Sequence, residues 1–284
     1  MEKTLYNQIS IPVIGYGVYQ ITDQELCEEC VVQAIQSGYR LIDTAAAYEN
    51  EEAVGRAIKR CGIAREELFI TTKLWVTDTS YERVKEAFNR SLNKLGLDYI
   101  DLYLIHQPYN DYYGAWRAMC ELYQEGKVRA IGVDNFKQDR LADFLRFNDI
   151  KPMINMVECN PMYPREDDLK YLQENDIQMM AWSPLGSGKE NILKNETLKK
   201  IGDKYHKSIA QVTLRWLYQR NIIPVVKSTN PVRMKENLNI FDFELSNEDM
   251  LEIEKLDQGH TCFQERDTAQ KVNHFLDRAF KFKL

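Results

Sequence analysis

Leu41-Ile42-Asp43-Thr44-Ala45-Ala46-Ala47-Tyr48-Glu49-Asn50-Glu51 is the stretch on which the reading of the whole chain turns. The run from Tyr39 to Ile42 predicts a short buried strand that ends in an acid, and a loop of small residues follows it. A helix is expected to open near Glu49, with a tyrosine at its mouth. An apolar strand feeding a polar loop is how an α/β protein brings side chains to the carboxyl edge of its sheet, where such folds do chemistry. Asp43 and Tyr48 stand across that loop, close enough in sequence to share one site. The structural alternative is a helix-capping acid beside a surface tyrosine.

Outward from that stretch the same unit recurs. A hairpin is expected first, residues 4–6 turning at Asn7-Gln8 into residues 9–11. Apolar runs at 13–16, 39–43, 68–72, 100–105, 130–133, 153–157, 177–182 and 223–226 then predict eight strands. Helical spacing with start and stop signals falls between them: a helix from Thr22 or Asp23 to Ser37, then 49–60, 80–95, 113–124, 137–147 and 165–175. Two helices, 196–206 and 208–220, precede the last strand, and 231–238 and 246–256 close the pattern. Eight strand–helix units in 284 residues, without a linker or composition break, predict an α/β fold, a (β/α)8 TIM barrel forming one domain over 1–284. The barrel would carry a short N-terminal hairpin and extra C-terminal helices. A doubly wound sheet would want a G-x-G-x-x-G crossover, and Gly15-Tyr16-Gly17-Val18-Tyr19 does not supply one.

Composition excludes several classes. A 44% hydrophobic, 28% charged chain is globular in type, and its net charge of −6 offers no basic stripe to a nucleic acid. No window has the length of a membrane span, and the first residues lack an apolar targeting core, so a cytoplasmic location is expected. The six cysteines form no secreted-domain framework and are expected to be reduced. Cys27-Glu28-Glu29-Cys30 spells C-x-x-C but lies within a predicted helix, where packing is the expected role. The tail after Thr261 is basic and partly aromatic, with Lys271, Arg278, Lys281, Lys283, Phe275, Phe280 and Phe282.

In a barrel all eight strand ends open on one face. The residues there are Gly17 and Tyr19, Asp43 and Tyr48, Lys73 and Trp75, His106, Asp134 and Asn135 on the first five strands. Glu158, Trp182 with Ser183, and Lys227 with Ser228 follow on the last three. Singly, His106 reads as a rim histidine, Lys73 as a snorkelling lysine and Tyr48 as a packed aromatic. Together they put a tyrosine, a lysine, an acid and a histidine at one mouth. A barrel hydrolase is the rival, with Asp43, Asp101 and Glu158 as its carboxylates.

Six ordered motifs carry a family resemblance. They are Asp43-Thr44-Ala45 through Tyr48-Glu49-Asn50-Glu51, Thr71-Thr72-Lys73-Leu74-Trp75, and Asp98 through His106. Ile131-Gly132-Val133-Asp134-Asn135-Phe136, Ala181-Trp182-Ser183-Pro184-Leu185-Gly186 and Ile223-Pro224-Val225-Val226-Lys227-Ser228 complete the set. Over nearly its full length the chain resembles the aldo-keto reductases and is similar to their bacterial diketogulonate/methylglyoxal reductase branch. The resemblance implies an NADPH-dependent enzyme that reduces a small-molecule aldehyde or ketone, carries no metal and works as a monomer. It implies Tyr48 as general acid, Lys73 and Asp43 as its tuning pair, and His106 as the group orienting the carbonyl. For the cofactor it implies Gly17, Val18, Asp43, Asp134, Asn135, Met156, Trp182, Ser183, Leu185 and Ser187, with Asp134, Met156 and Trp182 around the nicotinamide. Lys227, Ser228, Thr229 and Arg233 would hold the 2′-phosphate, with Glu236 and Asn237 near the adenine. Tyr19, Tyr48, Trp75, His106 and Gln107 would line the substrate pocket.

The chemistry of these side chains fits those roles. Hydride reaching a carbonyl carbon leaves an alkoxide that must be protonated, and a tyrosine near pKa 10 is helped by an ammonium that lowers its pKa. A lysine, an arginine fork and a hydroxyl together suit a phosphate dianion. Two departures from the family surround the nicotinamide: Asp134 where serine is usual and Met156 where glutamine is usual. An ionised Asp134 would accept but not donate, and would favour the cationic oxidised ring, unless it caps the next helix instead. Trp182 replaces a tyrosine that often stacks there. The competing reading is a regulatory subunit that binds the nicotinamide cofactor with little turnover.

Overall fold

The computed structural model describes residues 1–281; Phe282 and Lys283 of the basic tail lie outside the described residues. Strands β1 (Glu2–Thr4) and β2 (Ser10–Pro12) form an antiparallel hairpin, placed one or two residues outward of the expected pairing. The hairpin is tied to the backbone just before or at the start of two barrel strands. Tyr6 Oη donates to the carbonyl of Lys151 at 2.5 Å, and Asn7 Nδ2 to that of Arg129 at 3.0 Å. It therefore lies at the amino ends of the strands and leaves the opposite mouth open.

Eight parallel strands close into a barrel: β3 (Gly15–Gly17), β4 (Leu41–Asp43), β5 (Phe69–Leu74), β6 (Ile100–Ile105), β7 (Val128–Asp134), β8 (Ile154–Glu158), β9 (Gln178–Trp182) and β10 (Ile223–Val226). Each pairs with the next in chain order and β10 pairs with β3. Helices sheathe one face and the barrel interior fills the other, so β5 and β6 are buried at all six positions. The helices are α1 (Gln24–Ser37), α2 (Glu51–Arg60), α3 (Tyr81–Leu95), α4 (Tyr112–Gln124), α5 (Gln138–Arg146) and α6 (Glu166–Glu174). After them come α7 (Glu196–Tyr205), α8 (Ile209–Gln219), α9 (Pro231–Leu238), α10 (Asn247–Glu254) and α11 (Ala269–Ala279).

Local chemistry sets the boundaries. Asp23 accepts the Leu26 amide at the start of α1, and Gly38, at φ +114°, ends it where a side chain would be strained. Ser208 and Gln211 form a reciprocal capping box on α8. Cys27 and Cys30 pack inside α1 as expected, and burial pushes the Cys27 thiol up to about 12.

Two expectations need correction. The helix predicted to open near Glu49 starts at Glu51. Residues 46–48 make a tight turn instead, and Glu49 takes a left-handed conformation at φ +56°. Asn50 fixes this: its amide donates to the carbonyls of Val18 and Ile21, while its Oδ1 accepts from Thr44. The basic tail also holds a full helix, α11, which the sequence reading left without structure. Thr268 caps it, and Val272, Phe275, Leu276 and Ala279 recur at helical spacing.

Candidate active site

Register brings the polar side chains together. Asp43 pairs with Thr71 across β4 and β5. Residues two apart on a strand share a face, so Lys73 lies one step further up the same face as Thr71. Its ammonium reaches back to both Asp43 oxygens, at 2.7 and 2.8 Å, and to the Thr44 carbonyl at 3.0 Å. From there it donates to Tyr48 Oη at 3.3 Å. Burial alone would discharge this lysine, but Asp43, Tyr48 and Asp134 together outweigh it and hold the ammonium above its ordinary range.

Tyr48 corrects a simpler expectation. Lys73 does pull its pKa down, but burial dominates and the phenol ends above its usual value. The hydroxyl therefore stays protonated through neutral pH. The tight turn at 46–48 presents the ring to the mouth, 4.9 Å from Tyr19 and 5.6 Å from His106 between centroids.

His106 follows β6 directly. Its amide donates to the Leu74 carbonyl at 3.1 Å, and its own carbonyl accepts from Asn135 Nδ2 at 3.1 Å. Trp75 flanks the ring edge-on at 5.1 Å. Burial, reinforced by Lys73 and Arg266, keeps the imidazole well below its usual pKa and so uncharged. Its Nδ1 is buried without a hydrogen-bond partner among the described residues.

Asp134 ends β7 beside Met156 on β8. It makes no helix-capping bond, its Oδ2 is 3.9 Å from His106 Nε2, and its Oδ1 is buried and unpartnered among the described residues. Burial lifts its pKa well above the carboxylate range despite Lys73. Against the expectation of an ionised carboxylate, burial favours the neutral form, which both donates and accepts. Asn135 bridges the His106 carbonyl and Trp182, whose Nε1 donates to its Oδ1 at 3.0 Å.

Asp43, Tyr48, His106, Asp134, Asn135 and Trp182 line one cavity of about 660 Å³, with Lys73 fully buried behind them. Gly17, Tyr19, Trp75, Gln107 and Met156 line it too, as do Ser183, Leu185, Ser187 and Lys227 on the far side. Val18 is fully buried behind it, its amide held by the Asp43 carbonyl at 3.1 Å. Ser228, Thr229, Arg233, Glu236 and Asn237 lie outside that lining, on the turn after β10 and along α9. Neither Lys227 nor Arg233 has an ion-pair partner among the described residues, and the Asn230 side chain takes the first free amides of α9. Two uncommitted cations beside a helix start suit a phosphate. The orphaned carboxyl of Asp134 next to Asn135 likewise suits a carboxamide, so the residues present fit a dinucleotide.

Carboxylates of the hydrolase rival are dispersed. Asp101 is held near the amino end of β6 by Arg65 at 2.6 Å and Arg129 at 2.7 Å. Glu158 accepts from the Cys262 amide at 3.0 Å and from Thr261, latching the C-terminal segment to β8. The tail from Thr261 was expected to be able to shape selectivity, but none of its residues was among the expected site residues. Arg266 and Phe275 line the mouth, and Trp75 Nε1 donates to the Ala279 carbonyl at 3.2 Å. A separate cleft of about 690 Å³, on the outer wall between α4 and α5, holds none of the strand-end residues.

A closed parallel barrel with tyrosine, lysine, aspartate and histidine at its carboxyl mouth defines a class of oxidoreductases acting on carbonyl groups. The Aldo/keto reductase family profile matches residues 13–258, and the chain belongs to that family. Glyoxal reductase of Bacillus subtilis (strain 168) is 48% identical over 255 residues, covering 89% of this chain and 92% of that protein. Methylglyoxal reductase DkgA of Escherichia coli (strain K12) is 41% identical over 252 residues, covering 88% and 90%. Among solved structures, a Bombyx mori aldo-keto reductase in complex with NADP is 36% identical at a TM-score of 0.89, covering 94% of this chain and 96% of that one.

Proposed function

We propose that the protein reduces aldehydes or ketones to alcohols, with Tyr48 as proton donor. The observation that carries this reading is the buried chain Asp43–Lys73–Tyr48 beside an uncharged His106, with Asp43, Tyr48 and His106 lining one cavity and Lys73 buried behind it. NADPH is the cofactor and supplies the hydride. His106 and Tyr48 together hydrogen-bond the carbonyl oxygen and polarise it. As negative charge develops there, the Tyr48 hydroxyl delivers its proton, and the Lys73 ammonium stabilises the phenolate left behind. Asp43 keeps Lys73 charged and aimed. Trp75, Tyr19 and Gln107 shape the substrate side and limit water.

For the cofactor, Asp134 and Asn135 would hold the carboxamide, and Trp182 and Met156 would offer apolar surface to the nicotinamide. Gly17, Val18, Ser183, Leu185 and Ser187 would contact the rest of its nicotinamide and pyrophosphate portion. Lys227, Ser228, Thr229 and Arg233 take the 2′-phosphate, with Glu236 and Asn237 near the adenine. We further read the chain as a single-domain, monomeric, cytoplasmic enzyme without a nucleic-acid partner. Its free cysteines and net charge of −6 favour that reading.

The test is Tyr48→Phe. Consumption of NADPH with a panel of aldehydes should fall at least ~100-fold, the scale of general acid catalysis, while NADPH still quenches the protein's fluorescence. Turnover like wild type would refute the donor. A wild type that binds NADPH but reduces no aldehyde would favour the regulatory alternative.

A further inference from the structure

Asp134 is an acid of the cavity wall without a counter-ion. It is 2% exposed at the end of β7, beside Met156 of β8. Asp43 on β4 and Lys73 on β5 face it, but they satisfy each other at 2.7 and 2.8 Å. Tyr48, from the turn at 46–48, and His106, after β6, are uncharged at neutral pH. Arg266, from the segment between α10 and α11, is engaged elsewhere. Its Nη1 donates to Gln107 Oε1 at 2.5 Å, and its guanidinium carbon sits 3.9 Å from the centroid of Phe275. Among the described residues no lysine or arginine lies within ion-pair distance of Asp134, and its Oδ1 has no hydrogen-bond partner.

A carboxylate buried in this way is costly, and the neutral acid is favoured in its place. Burial accordingly lifts its pKa, with Lys73 and Arg266 pulling weakly the other way. A single new cation close by reverses that balance: an opposite charge within about 4–6 Å lowers a carboxyl pKa by about 1–3. The cofactor supplies such a charge in one of its two states only. Its nicotinamide ring is neutral when reduced and cationic when oxidised, and Asp134 faces the cavity that receives it.

We propose that Asp134 couples a proton to the oxidation state of the bound cofactor, keeping it beside NADPH and releasing it to solvent beside NADP+. Only the carboxyl O–H bond breaks, and the carboxylate left behind balances the charge of the oxidised ring. This inference rests on the placement of the nicotinamide against Asp134 in the proposed function. Its consequence is that NADP+ is held more tightly relative to NADPH as pH rises, so inhibition by the spent cofactor deepens.

The test measures dissociation constants of NADP+ and NADPH by fluorescence quenching, between about pH 5.5 and 9 at fixed ionic strength. Taking their ratio removes the 2′-phosphate, which both nucleotides carry and which titrates near pH 6. At low pH Asp134 stays protonated with either nucleotide and the ratio is flat. Where NADP+ binding expels the proton, Kd(NADP+)/Kd(NADPH) falls by up to about 10-fold per pH unit, and by about 10-fold or more over the whole range. Asp134→Asn, which keeps the shape of the neutral acid, and Asp134→Ser both flatten the ratio. Calorimetry of NADP+ binding in phosphate and in Tris, at the middle of the wild-type transition, counts the released proton directly and finds fewer in both variants. A wild-type ratio that ignores pH overturns the proposal. So does a pH dependence that survives in Asp134→Asn; its loss in Tyr48→Phe would then assign the proton to the phenol. Carbonyl reduction by Tyr48 stands in either case. If wild type binds neither nucleotide, the underlying reading falls first.

Discussion

Asp134 shows how burial can reverse the sense of a side chain. In the unfolded chain its carboxyl ionises near pH 4, whereas in the fold burial keeps the proton on. Above about pH 4 the unfolded state therefore releases a proton that the folded state retains, and stability falls as pH rises toward the folded pKa. Asp134→Asn keeps the shape of the neutral acid and removes that dependence. Its melting temperature should gain on wild type at pH 8 relative to pH 4, by about 2–4 °C for each kcal/mol recovered. A difference between the two proteins that is the same at both pH values would show that Asp134 is ionised in the fold. The same balance governs Tyr48, where the attraction of Lys73 was readable from residue types but the larger opposing effect of burial was not.

Among the elements, α9 carries a local test. Pro231 starts it, Asn230 caps it, and Arg233 stands uncommitted in its first turn. Arg233→Met should weaken NADPH binding about 10- to 100-fold and barely change NADH, measured as dissociation constants by fluorescence quenching. Equal losses for both cofactors would count against a phosphate contact. The barrel strands were legible because strands covered on both faces must be apolar runs, and their ends fell within two residues of the expected positions. The strand-end set Asp43, Tyr48, Lys73 and His106 followed from that pattern. The start of α2 did not, because Asn50 answers to carbonyls of Val18 and Ile21 far back in the chain. Nor did Arg266: its bond to Gln107 spans 159 residues, and no local period announces such a contact. The helix α11 did leave a signal, an apolar stripe behind a threonine cap, hidden under the basic composition of the tail.

At the scale of the whole molecule, barrel closure depends on strands approaching closely near the site. Gly132 on β7 lies where an added Cβ would sit 2.6 Å from the Ile154 carbonyl on β8 and 2.8 Å from Leu104 Cδ2 on β6. Gly132→Ala must push β7 away from one neighbour or both, so a loss of about 1–3 kcal/mol is expected in denaturant unfolding. An unchanged midpoint would mean that the barrel yields there without strain.

Glu158 ends a barrel strand, yet its carboxylate holds Thr261 and Cys262, just past residue 258 where the family match stops. The proton-transfer groups thus come from the barrel itself, and one wall of the mouth comes from the C-terminal segment, which is fastened to the barrel at Glu158, Gln107, Lys137 and Trp75. A change in that segment reshapes the wall that a substrate meets without replacing Tyr48, Lys73 or His106.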